Sequence, residues 1–226
     1  MPAMPAPEPP RMRERYRAQV RQEVKQAALA QLAESGPAAV SVSAIGKQLG
    51  VSGPALYRYF ASRDELLTEL VIDAYQDLAD ALSAAAGHAP DLDPRARLEA
   101  VARGYRDWAL AQPHRYRLLY GPPLPGYDAH VQRLVEAAQA SMNVLVGVLR
   151  ELRPSEAAAP GQPLAAQLSS WAHAHNLDID PATALRAVLL WSGLHGFVSL
   201  EIAGNYASMG IDPDPVFEIE LATLTA

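Results

Sequence analysis

The chain has no cysteine among its 226 residues. That excludes disulfides, thiolate metal sites and cysteine nucleophiles, and it fits a reducing compartment, so the cytoplasm is the expected location. Long apolar runs are also missing. The longest uncharged one, Ala187 to Leu200, falls short of the roughly 18 residues needed to span a bilayer, and the proline-rich start MPAMPAPEPP has no apolar signal-peptide core. Neither export nor a membrane partner is expected. Strand signals are nearly absent, because β-branched residues are scattered and alternation never persists. No G-x-S-x-G, glycine-rich phosphate loop or H-E-x-x-H occurs, so no catalytic residue and no cofactor are expected. His173 and His175, two apart on a helix, face different directions without a carboxylate cluster, and no metal site is expected there either.

What is present is a large apolar fraction, 50% of the residues, enough for a substantial core. The charge is unevenly placed. The chain carries −6, yet residues 1–63 hold nine basic residues against four acidic ones, which leaves −11 on the remainder. A basic end on an acidic body is the asymmetry of a protein that brings one end to phosphates, although a solvated helix face gives the same run of charge.

Ala, Leu, Arg, Glu and Gln at helical spacing make the chain all-α. A proline-rich leader over 1–10 precedes a helix over about 11–34, with Val20, Val24, Ala28 and Leu32 on one side and Ser35-Gly36-Pro37 as its stop. A short helix over about 42–49 follows, with Ser41 as N-cap and Ile45 and Leu49 inward; Gly50-Val51 makes a turn, and Ser52 caps a helix with Pro54 in its first turn. Ser62-x-x-Glu65 is a capping box for a fourth helix running toward Ala86. Asp93-Pro94, Asp180-Pro181 and Asp212-Pro213 pair a cap with a first-turn proline and open segments of about 93–111, 180–207 and 212–224. Helices near 113–120, 127–152 and 163–176 complete the chain, with 153–163 as a loop. The expected division is a domain over 11–62 with helix-turn-helix spacing and a second, helical domain over 63–226.

Two tyrosines flank an arginine at 57–59. At about 100° per residue, Leu56 and Phe60 share an inward face, Pro54, Ala55 and Arg58 point away from it, and Tyr57 and Tyr59 splay to the flanks. Small residues that allow close approach, an arginine that reaches a base edge or phosphate, and phenols that hydrogen-bond phosphates suit a helix in a DNA major groove. The plainer alternative is that the tyrosines lie along a core-packing helix with their hydroxyls in water.

The run SVSAIGKQLGVSGPALYRYFASRDELL (41–67) resembles the DNA-binding domain of the TetR-type, tetracycline-repressor-like transcriptional regulators. The resemblance is tight over these residues and looser over about the first 85. It implies that Ser41, Tyr57, Tyr59 and Arg63 contact phosphates and that Gly53, Pro54, Ala55 and Arg58 face the groove floor or its rim; Ser43 and Ser52, in the same run, are further DNA-binding candidates. Ser41, Tyr59 and Arg63 stand where the family usually has threonine, histidine and lysine, and each keeps a donor able to reach a phosphate. QPHRYRLLYG (112–121) and WSGLHGFVSLEIAG (191–204) are similar to the branch named for its Trp-His-Gly signature, which implies a regulatory dimerisation domain.

The expected function is a homodimeric one-component regulator, a repressor held on a palindromic double-stranded operator and released by a small-molecule effector. Tyr105, Trp108, Tyr116, Tyr120, Met142, Trp171, Trp191 and His195 are candidates to line an apolar effector cavity between helices; simple core packing is the competing reading, and for Trp191 and His195, which share a face at i,i+4, both stay open. The alternative function is a helical interaction or enzyme domain that no longer binds DNA.

Overall fold

The computed structural model describes residues 12–36, 40–87, 93–121, 132–152 and 160–225. The leader over 1–10, Arg11, Pro37, the start of the 127–152 segment and most of the 153–163 loop lie outside the described residues. Every regular element described is an α-helix.

Two compact units form. The first holds residues up to Leu70, the second begins at Val71, and one helix runs unbroken through both. In the first unit, α1 (Met12–Ser35) buries Val20, Val24, Ala27, Ala28 and Leu32 along one face. It stops at Gly36, whose left-handed φ of 76° lets its N–H close back on the Leu32 carbonyl. Helix α2 (Val42–Gln48) is capped by Ser41, whose hydroxyl accepts from the Ala44 N–H, and it buries Val42, Ile45 and Gly46. Leu49, expected inward, is only half-buried. Gly50, at φ 65°, turns the chain into α3 (Gly53–Leu56).

Helix α4 (Arg63–Gly87) opens with the serine half of the expected capping box, the Ser62 hydroxyl accepting from the Glu65 N–H, while the Glu65 carboxylate accepts from the N–H of Ala61, one residue before the cap. The second unit adds α5 (Pro94–Ala111), α6 (Pro113–Tyr120), α7 (Gln132–Leu149), α8 (Leu164–Ala174), α9 (Pro181–Ile202), α10 (Asn205–Ser208) and α11 (Pro213–Leu224). Asp93, Asp180 and Asp212 each cap a helix that begins with proline. The 180–207 segment is two helices rather than one, because Gly204 at φ 79° breaks it after Ile202.

Helix α9 is the centre of this unit and packs against α5, α7, α8, α10 and α11. By length and composition it would suffice to cross a membrane. Ala184, Ala187, Leu190, Leu194, Phe197 and Val198 are instead buried on its inner face, the last five in one core with Leu98, Val101, Tyr105, Leu145, Leu149, Phe217 and Leu221.

Candidate nucleic-acid interface

The helix-turn-helix is tightly closed at Gly46. A Cβ there would lie 2.8 Å from Leu56 Cδ1 and 2.9 Å from the Val51 carbonyl oxygen, so α2 meets the turn before α3 and the last residue of α3 at a distance only glycine permits. Leu56 and Phe60 are fully buried, while Pro54, Arg58 and Tyr57 are exposed, Tyr57 by 55%. Ala55 and Tyr59 are half-buried. The inward and outward faces thus alternate as the helical spacing predicts. The regular helix, however, ends at Leu56, and Tyr57 to Tyr59 form a tight turn in which Arg58 N–H bonds the Ala55 carbonyl at 3.3 Å and Tyr59 N–H the Leu56 carbonyl at 2.8 Å. On the neighbouring helix Ser43 is exposed, its hydroxyl 3.0 Å from that of half-buried Ser41, and Ser52, exposed, begins α3 through its carbonyl.

The basic residues divide into two groups. Arg13, Arg15, Arg17, Lys47 and Arg58 are exposed, but Lys25 is buried on the inner side of α1. Arg21 is committed inside the unit: its guanidinium donates to the Tyr59 carbonyl, lies 4.4 Å over the Phe60 ring and pairs with Glu69 at 3.3 Å. Arg17, one turn earlier, donates to the Arg58 carbonyl at 3.3 Å. Arg63 donates through Nε to the Val40 carbonyl at 2.9 Å, just before α2. A count of charges along the sequence has no means of separating Arg21 and Lys25, both structural, from solvent-facing cations.

In the second unit, five of the eight side chains considered for an effector cavity stand together. Tyr105 and Tyr116 meet edge to face, Trp191 lies 5.2 Å from Tyr105, and Tyr120 lies 4.7 Å from His195 and 5.2 Å from Tyr116. Tyr116 donates to the His195 carbonyl (3.2 Å) and pairs with its Nδ1 at 3.0 Å, with the Tyr105 hydroxyl 3.4 Å from the same nitrogen. Burial pushes the Tyr116 phenol up to about 12, raises those of Tyr105 and Tyr120 and lowers the His195 imidazole. All four groups are neutral near pH 7. The Tyr120 hydroxyl is buried without a partner.

The other three lie elsewhere. Trp108 donates to Asp77 at 2.8 Å, and Arg115 pairs with the same carboxylate at 2.8 Å, so one acid on α4 holds both α5 and α6. Met142 packs on the core from α7, and Trp171 sits on α8 with its ring 5.7 Å from His175. Two open clefts do occur in this unit. One, of about 430 Å³, is lined by polar groups including Gln139, Asn143, Arg150 and His175. The other, of about 620 Å³, is lined by Arg103, Arg106, Asp107, Leu110 and the start of α11.

Comparison with known proteins joins these two units. Residues 26–70 match the model of the bacterial regulatory proteins of the tetR family, and residues 98–224 match a tetracyclin repressor-like C-terminal domain. The chain belongs to the TetR family. It is 34% identical over 217 residues to the HTH-type transcriptional regulator Rv1816 of Mycobacterium tuberculosis, covering 93% of this chain and 92% of that one. A second regulator of that organism, Rv0681, is 30% identical over 91% of this chain and 80% of its own length. The crystal structure of SCO4313 superposes with a TM-score of 0.79 at 41% identity, over 96% of this chain and 98% of that one. FadR from Bacillus subtilis, solved in complex with stearoyl-CoA, shares the fold at a TM-score of 0.60 and 15% identity, over 91% of this chain and 97% of that one.

The match to the TetR DNA-binding domain ends at Leu70, where the first compact unit ends, and α4 therefore contributes its first two turns to that domain. Sequence reading missed Arg17, Arg21, Glu69 and Asp77 as organising residues of this TetR protein. Their partners lie 31 to 48 positions away, and a charged residue on a helix carries no local mark of such a contact.

Proposed function

We propose that this TetR-family regulator is a repressor that binds a palindromic operator as a homodimer and is released by a small-molecule effector. The observation that carries the reading is the outward pair Tyr57 and Arg58 set directly beside fully buried Leu56 and Phe60, a surface with donors and small residues but no core function. Ser41, Ser43, Ser52, Tyr57, Tyr59 and Arg63 would meet phosphates, and Gly53, Pro54, Ala55 and Arg58 the groove. The working division is a DNA-binding domain that runs on through Leu70, past the boundary at 62 expected from sequence, and a regulatory, dimerising domain after it, acting in the cytoplasm. The Trp191, His195 and Gly196 spacing supports assignment to the Trp-His-Gly branch.

Dimerisation is assigned to α9 with α8. Val188, Leu189 and Leu200 are exposed on α9, and a Cβ on Gly196 would meet nothing within 4 Å, so a second helix has room to approach. At Gly193 the space is filled within the chain instead, since a Cβ there would lie 2.7 Å from Leu224. The effector is assigned to the ring cluster of Tyr105, Tyr116, Tyr120, Trp191 and His195, where the unpartnered Tyr120 hydroxyl offers one hydrogen bond. A gel shift with duplex from the protein's own upstream region, repeated across salt concentrations, tests the function: affinity should fall steeply with salt. A protein that is folded yet shows no retardation at low salt refutes it.

A further inference from the structure

The carbonyls at the end of the Tyr57 to Tyr59 turn are not left to solvent. Arg17 and Arg21, one helical turn apart on α1, donate to two successive ones, those of Arg58 and Tyr59. Arg21 makes two further contacts, with the ring of Phe60 at 4.4 Å and with Glu69 of α4 at 3.3 Å. Its side chain is 28% exposed and that of Glu69 15%, so the pair is shielded enough to fix geometry. One guanidinium therefore ties three things together: the backbone that carries the exposed tyrosine and arginine, the aromatic anchor of that turn, and a carboxylate on the helix that continues into the second unit.

We propose that Arg21 and Glu69 are positioning residues for DNA recognition, a latch through which α4 sets the pose of the Tyr57 to Tyr59 turn. This rests on the reading that the turn meets DNA phosphates. Arg21 itself does not contact DNA. A guanidinium already engaged on three sides cannot also neutralise a phosphate, so its charge adds nothing to the salt dependence of binding. Displacement of Glu69 along with α4 loosens Arg21 from the Tyr59 carbonyl and lets the turn drift.

Glu69→Gln separates the latch from simple charge effects, because the two predict opposite signs. Removing an anion from a DNA-binding unit should tighten binding electrostatically; loss of the latch should weaken it. Fluorescence anisotropy with the upstream duplex, from 50 to 300 mM KCl, on full-length protein shown to be folded by circular dichroism, supplies the measurement. Glu69→Gln and Arg21→Gln should each weaken binding by about tenfold. The slope of log affinity against log salt should stay as in the wild type, and Arg21→Lys should bind with an affinity between those of the wild type and Arg21→Gln. Arg13→Gln, at an exposed cation, serves as the reference for a slope that can drop by about one ion. A shallower slope for Arg21→Gln makes Arg21 a phosphate contact and overturns the proposal. So does tighter or unchanged binding by folded Glu69→Gln, a measurement that stands even if Arg21→Gln fails to fold. Tyr57→Phe in the same series tests the underlying reading separately: wild-type binding by that variant, with both latch variants weakened, removes the tyrosine assignment and leaves the latch acting on the turn's other residues.

Discussion

At Gly46 two helices touch backbone to side chain, and the missing Cβ is what allows it. Gly46→Ala would set a methyl 2.9 Å from a carbonyl oxygen that belongs to a tight turn and cannot retreat. The expected cost is about 1–3 kcal/mol, read as a lower urea midpoint with an unchanged slope. His195 makes a second residue-scale prediction. Burial lowers its folded-state pKa below the unfolded value near 6.5. Above that value both states are neutral and its contribution is constant. As the pH falls through it the unfolded chain takes up the proton first, so this stabilisation is lost on acidification. The melting temperature of the wild type should therefore drop further between pH 7.5 and 5.5 than that of His195→Gln; equal drops would mean that the imidazole is free to protonate in the folded protein. That Leu56 and Phe60 point inward and Tyr57 outward was legible because 100° per residue is a local rule. That Arg21 and Lys25 are structural was not, because nothing local distinguishes them from Arg13.

Among the elements, α9 depends on a polar clamp as well as its apolar face. Arg106 of α5 grips Glu201 through two hydrogen bonds, at 2.8 and 2.6 Å, with the pair only 12% and 10% exposed, and its guanidinium lies 4.7 Å over Phe217 of α11. Arg106→Met keeps the bulk but strands a shielded carboxylate, and should cost about 3 kcal/mol; Glu201→Gln, which can still accept hydrogen bonds, should cost less. Chemical denaturation of the two variants checks the order. Element boundaries were readable wherever a cap announced them, as at Asp93, Asp180, Asp212 and Ser62. They were not where a tertiary contact decided. The helix expected through Phe60 ends at Leu56, with α1 holding the carbonyls of the turn that follows, and the single helix expected over 180–207 breaks at Gly204, whose left-handed φ is a backbone choice that composition does not reveal.

For the molecule as a whole, the exposed apolar stripe of α9 carries the assembly prediction. Leu189 is 54% exposed on a helix otherwise central to the core. Leu189→Arg should leave the subunit folded and shift it to monomer in sedimentation at micromolar concentration. Affinity for the palindromic duplex should fall by at least tenfold while binding to a half-site is retained, since two recognition surfaces then no longer act together. A dimer that persists places the interface elsewhere. The ring cluster in the same unit shows the limit of sequence reading. Trp191 and His195 were paired by their i,i+4 spacing, whereas their approach to Tyr105 and Tyr116 depends on how three helices pack, and Trp108 and Trp171 went to other partners for the same reason.

Helix α4 also limits how the protein can be taken apart. The capping box at Ser62 looks like a natural place to cut, but Leu66, Leu67 and Leu70 are buried and Glu69 is paired with Arg21. An isolated reader of the operator, or a hybrid that grafts these helices onto a foreign sensor, needs its junction beyond Leu70, with the donor's helix spliced in phase at about 100° per residue so that the residue taking the place of Asp77 still faces its own partners. Helix phase at one splice, more than the identity of either half, should decide whether such hybrids respond to the new signal.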